Sequence, residues 1–136
     1  MIGEEQDADV ALRAMAGVTG GCYRGDFCGA IAGAAMAVGA LFARANLDEM
    51  EDARLSSTVR KIYDQLKDIA REKYGDVRCE AISSCNWYDP EDVRARRVDG
   101  RRDECTRFVG ECAYVLGKIL LEVVGEEEIK ILQNES

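Results

Sequence analysis

The sequence predicts an all-α domain, a helical bundle built around one central helix rich in Gly and Ala. Three observations carry that reading. Proline occurs once in 136 residues and aromatics make up 7%, so little interrupts helical structure. Two long segments, 56–74 and 102–124, keep apolar residues at helical spacing. Between Phe27 and Phe42 the chain runs 16 residues with only small and apolar side chains. The length allows one domain, 1–136, with a modest core.

The first helix is expected over 7–16, capped by Asp7 or Asp9 and closed by Gly17. A glycine-rich loop with Cys22 comes next and leads to Asp26-Phe27-Cys28. Asp26 is a good N-cap, which places Cys28 in the first turn of a helix over 27–45. A thiolate there is favoured by the positive end of the helix dipole, so Cys28 is expected to be a low-pKa thiol. Gly29, Gly33 and Ala37 recur every four residues. Each glycine costs about 1 kcal/mol against Ala in a helix, so Gly29 and Gly33 mark a stripe where another helix or a cofactor approaches the backbone. Tight packing by neighbouring helices is the equally weighted plain reading.

An acidic connector, 46–52, precedes the helix over 56–74, for which Ser56 or Ser57 is the expected cap. Val59, Ile62, Tyr63, Leu66 and Ile69 form its inner face, and Gly75 ends it. A short helical turn is expected over 77–82. Residues 83–101 read as a long loop with turn signals at Asp89-Pro90 and Asp99-Gly100. It carries Cys85, Trp87 and five arginines, Arg94, Arg96, Arg97, Arg101 and Arg102. A solvated loop offsetting an acidic body is favoured over an anion-binding patch. The last helix, 102–124, starts at Asp103 and buries Cys105, Phe108, Cys112, Val115 and Ile119. The tail EEEIKILQNES is polar with a small apolar patch.

Composition excludes several functions. The net charge is −8, which argues against a nucleic-acid partner. No histidine is present, which removes His-based triads, Cys/His zinc sites and His-ligated haem. The N-terminus has no signal-peptide pattern, and the apolar run is shorter than the roughly 20 residues of a membrane span. A cytoplasmic protein with no membrane association is expected, where persistent disulfides are uncommon.

Six cysteines then define the chemistry left open. Cys105 and Cys112 lie on one helix face, about 10 Å apart along its axis, too far to bond each other. Cys112 reads as a core residue. Cys22 and Cys28 flank the helix start, and Cys79 and Cys85 border the long loop. No C-x-x-C occurs, so neither a thioredoxin-type motif nor a zinc ribbon is indicated. The open choices are a thiolate-bound iron–sulfur cluster or zinc, disulfides, and free thiols.

The stretch GGCYRGDFCGAIAGAAMAVG, with Cys79 after a long helix and Cys105 opening the last, resembles the redox-active family named for its pattern, C-GCAxxG-C-C. Its members are small helical proteins, mainly of anaerobic bacteria and archaea, and a related domain occurs in split-Soret cytochromes c. Cys28 to Gly33 match the central element, and Cys79 and Cys105 the two later cysteines. The order Cys28-Gly29 is the reverse of that in the family's name. The family's first cysteine, on an upstream helix, has no counterpart; a cut start, a partner-supplied helix, or Cys22 in its place would account for that. Having no C-x-x-C-H, the chain should not hold haem c.

The resemblance implies a redox or electron-transfer protein. Cys28, Cys79 and Cys105 are then candidate metal ligands or redox thiols, with Cys22 or Cys85 as a fourth member. A redox partner protein and a homodimer are the expected partners. Whether the chain is an enzyme stays open, since a nucleophilic Cys28 would have no His base. The alternative is a structural or interaction module with static disulfides or core cysteines.

Overall fold

The computed structural model describes residues 4–125, with side chains from residue 8 onward; the expected polar tail, 126–136, lies outside them. Among the described residues six α-helices occur in order: α1 Glu4–Ala16, α2 Gly29–Phe42, α3 Arg54–Tyr74, α4 Cys79–Ser83, α5 Pro90–Ala95 and α6 Arg101–Val124. The fold is all-α. Among the described residues the only strand-like pairing is an isolated bridge between Phe27 and Arg78.

Helices α2, α3 and α6 pack on one another around a common core. Ile31, Ala34, Val38 and Phe42 come from α2, Ile62, Leu66 and Ala70 from α3, and Phe108, Cys112, Val115 and Ile119 from α6. Each set recurs every three to four residues, which is why one face of each helix is buried. Phe108 has no exposed surface and meets the edge of Tyr74 at a centroid distance of 5.5 Å. Ion pairs Lys61–Glu122 and Lys73–Glu111 join α3 to α6 at the rim; exposed pairs of this kind add little stability.

Several starts differ from the expected ones. Helix α1 is already helical at Glu4, the first described residue, so Asp7 and Asp9 lie inside it. Helix α3 begins at Arg54, where the Asp52 carboxylate accepts the Arg54 N–H at 2.8 Å. Ser57 does not cap; its hydroxyl donates to the Arg54 carbonyl. The expected long loop contains α5, because Asp89 caps it by accepting the Glu91 N–H at 2.9 Å and Pro90 takes the first helical position. A proline read as a turn breaker is here a helix starter.

The segment before α2 turns left-handed. Gly20, Gly21, Cys22 and Tyr23 have φ between 57° and 61°. Such a conformation costs about 1–2 kcal/mol per non-glycine residue, so Cys22 and Tyr23 are held there by their surroundings. The Asp26 N–H donates to the Gly21 carbonyl, and the Asp26 carbonyl accepts the Cys79 N–H at 2.6 Å. These bonds fasten the turn to the start of α4. At Gly20 an added Cβ would lie 2.3 Å from the Trp87 ring, so the turn and Trp87 are keyed together.

Candidate functional site

Cys28 sits at the boundary of α2 as its N-cap, with extended backbone (ψ 124°), and Gly29 is the first helical residue. Asp26 belongs to the preceding turn and does not cap α2. The Val18 carbonyl comes so close to Gly29 that a Cβ there would lie 2.9 Å from its oxygen, and Met15 lies against Gly33 at 3.3 Å by the same measure. The bare stripe of α2 therefore faces the end of α1 and the segment after it.

Between that segment, α2 and α6 is a cavity of about 480 Å³. Cys28 and Cys79 enter its wall from the starts of α2 and α4. Cys105 and Cys112 enter from one face of α6, with Val109 between them. Gly29, Gly33 and Arg96 also line the wall. Thus Cys28, Cys79 and Cys105, distant in sequence, share one cavity, and Cys112 joins them. Cys112, expected in the core, does belong to the main core, yet it also faces this space. Its spacing of seven from Cys105 is the signal that the two share a face.

Cys22 and Cys85 are elsewhere. Cys22 is exposed on the left-handed turn. Cys85 is buried in a separate small cluster with Trp87 and Cys79. Cys79 is the joint between the two regions. Its carbonyl accepts the Ser83 hydroxyl at 2.6 Å, and Ser83 in turn accepts the Trp87 indole N–H at 3.1 Å.

Burial sets the protonation of these thiols. Cys28 has its pKa raised from the ordinary 9.0, chiefly because burial disfavours the thiolate. The Ile31 and Ala30 N–H groups at the helix start pull the other way and do not offset it. The expected low-pKa Cys28 is thereby corrected: a cap position helps a thiolate, but enclosure with 4% exposure outweighs it. Burial likewise pushes Cys79 up to about 11 and Cys112 up to about 12. Cys105 contributes to raising all three, and it is the one cavity cysteine that is partly exposed.

All six cysteines are free, so static disulfides are absent. Among the described residues no three Cys, Asp or Glu side chains are gathered closely enough to hold a metal ion. Cys28, Cys79 and Cys105, expected as a ligand set, line one wall without converging on a point. The arginine-rich segment is not a common patch. Arg101 donates to the Ser84 carbonyl and to Asp92 and Asp99, and Arg94 donates to the Pro90 carbonyl. Arg96 stacks on Trp87 at 5.0 Å from the ring centroid and lines the cavity; nothing in a run of similar arginines singles it out.

The fold and site define a small helical protein with a thiol-lined cavity beside a glycine-bearing helix start. A family model described as "Putative redox-active protein (C_GCAxxG_C_C)" matches residues 2–119, and the chain belongs to that family. Helix α1 lies within the match and carries no cysteine. No curated protein and no solved structure matches the chain. Among the described residues, no helix is long and apolar enough to cross a membrane.

Proposed function

We propose that this chain transfers electrons by thiol–disulfide exchange in its cavity, with Cys105 as the entry thiol and Cys28 as its first partner. The observation that carries the reading is the shared wall: four cysteines face one cavity, and the partly exposed one neighbours the other three electrostatically. The Cys105 thiolate attacks one sulfur of a partner's disulfide and releases the other sulfur, which takes up a proton. The Cys28 thiolate then attacks Cys105 and releases the second partner sulfur as a thiol. Two cysteine thiols are oxidised to one disulfide, and one partner disulfide is reduced to two thiols. Cys79 is an alternative resolving thiol on the same wall; Cys112, two turns along α6 from Cys105, is too far away to bond it. Cys22 and Cys85 stand outside this reaction. A redox partner protein is the natural donor of the disulfide, and a reducing compartment such as the cytoplasm would keep the resting state as thiols.

The proton must leave before a sulfur attacks. The raised pKa of Cys28 therefore makes the second step slow near neutrality and faster as pH rises. An iron–sulfur cluster or zinc on Cys28, Cys79 and Cys105 would need those side chains to converge, and that reading is tested in the same experiment. Anaerobically purified protein is assayed for metal, then treated with glutathione disulfide and mapped by mass spectrometry after alkylation. The expected result is an internal disulfide joining Cys105 to Cys28, lost in Cys105→Ser. Six free thiols after oxidation, or pairing that ignores Cys105, would sink the exchange reading. Stoichiometric iron or zinc lost in Cys28→Ser would replace it with the metal reading.

A further inference from the structure

The cavity has a second feature that the thiol chemistry leaves unused. Of its lining side chains among the described residues, Arg96 alone carries a permanent charge. Trp87 covers the face of its guanidinium. Its Nε is buried and has no hydrogen-bond partner among the described residues. A buried donor without a partner is costly, and the chain has acids to spare, with 26 Asp and Glu against 18 Lys and Arg. Nearby Asp92 and Asp99 are nonetheless both committed to Arg101. Thr19 apart, the rest of the wall is apolar or thiol: Met15, Val18, Val109, Ala113 and Leu116 face the space.

We infer that this cavity binds a small amphiphilic anion, an apolar chain or ring bearing one carboxylate, with the carboxylate on Arg96 and the apolar body against α2 and α6. The volume lies within the roughly 300–1,000 Å³ of small-molecule sites, which pair apolar walls with a few placed polar groups. Charge complementarity selects the anion, because the guanidinium supplies N–H donors and the cavity supplies no acid to compete. Arginine is suited to this task, since it stays charged when half-enclosed and stacks on an aromatic face without losing its donors. The inference does not depend on thiol cycling and survives if the cysteines prove inert.

Trp87 is the chain's one tryptophan, so its fluorescence reports on Arg96 directly. The full reduced chain is titrated with decanoate and with decanol, each below its aggregation limit. Decanoate is expected to bind saturably, one per chain, at least about tenfold tighter than decanol, as one charge-assisted hydrogen bond implies. Arg96→Gln should bring the two affinities together, while Arg102→Gln, exposed and off the cavity wall, should leave the preference intact. Ala113 is exposed and lines the cavity, so Ala113→Phe should weaken both ligands about tenfold or more and tests the site even if Arg96→Gln fails to fold. The inference is overturned by non-saturable binding, by equal affinities in the parent chain, or by a preference that persists in Arg96→Gln. Probe binding that vanishes as the chain dimerises would also overturn it, placing a second copy in the groove.

Discussion

Cys112 and Cys85 are equally buried, at 3% exposure each, yet they sit in regions built on different principles. Cys112 lies on α6 where that helix, α2 and the segment after α1 leave a space between them, and that region is held by apolar packing. Cys85 lies in the α4–α5 lobe, which is held by directed polar contacts. There Trp87 donates to Ser83, Ser83 donates to the Cys79 carbonyl, and Arg101 ties Ser84, Asp92 and Asp99 together. The difference teaches that burial by itself does not describe a thiol. A sulfur on a cavity wall can meet a ligand or another sulfur, whereas one under an indole ring serves as packing. Cys79 belongs to both regions, so it is the point through which one region can feel the other.

The largest expected effect comes from cutting the shared core. Phe108→Ala, between Cys105 and Cys112 on α6, should cost about 3–5 kcal/mol in urea unfolding, and it should loosen the cavity wall and the lobe together. Two separate transitions in that variant would show that the regions are independently stable, contrary to a single core. Next is Gly20→Ala, which places a methyl at a φ of +61° and against Trp87. A loss of about 1–3 kcal/mol is expected from strain and overpacking, with a changed Trp87 emission spectrum; an unaltered spectrum would mean the turn is not keyed to the ring.

A pH scan separates the regions by their thiols. Cys79 and Cys112 have folded pKa values of about 11 and about 12 against an ordinary 9.0. Folding binds their protons more tightly than the unfolded chain does. Their contribution is thus fully present below pH 9 and is lost as pH rises from there through 11 to 12. Thermal melts should fall over that alkaline range, and less so in Cys112→Ala, measured relative to its own value at pH 8. A parent chain whose melting point is flat to pH 11 would contradict the burial argument.

The smallest effect is a rate order under maleimide labelling at pH 8. Cys22 should react first, Cys105 next, and Cys28, Cys79, Cys85 and Cys112 last, in order of exposure. Arg101→Gln should speed Cys85 selectively by loosening the lobe. If it speeds Cys112 as much, the boundary at Cys79 is not a barrier to local opening.

Much of this was legible from local chemistry. The periodic faces of α3 and α6 and the all-small run of α2 point to three packed helices, since side-chain spacing alone decides which face is buried. The C′ role of Gly75, with φ +81°, comes from the same local rules. Helix α5 was not legible, because Asp89-Pro90 suits a turn and a capped helix start equally well. Residues 91–95 settle the choice only through their packing in the lobe. The site was partly legible: cysteine positions point to Cys28, Cys79 and Cys105, but not to the exclusion of Cys85 and Cys22. Arg96 was hidden among chemically identical neighbours.

The sequence by itself determined the helices, their buried faces and the kinds of chemistry excluded by having no histidine. Those properties depend on residues within a turn or two of one another. The tertiary structure decided which thiols share a wall, which arginine turns inward, and that burial raises the Cys28 pKa against the pull of the helix start. Each of these depends on how much water and which charges surround an atom, and most of those neighbours come from distant parts of the chain.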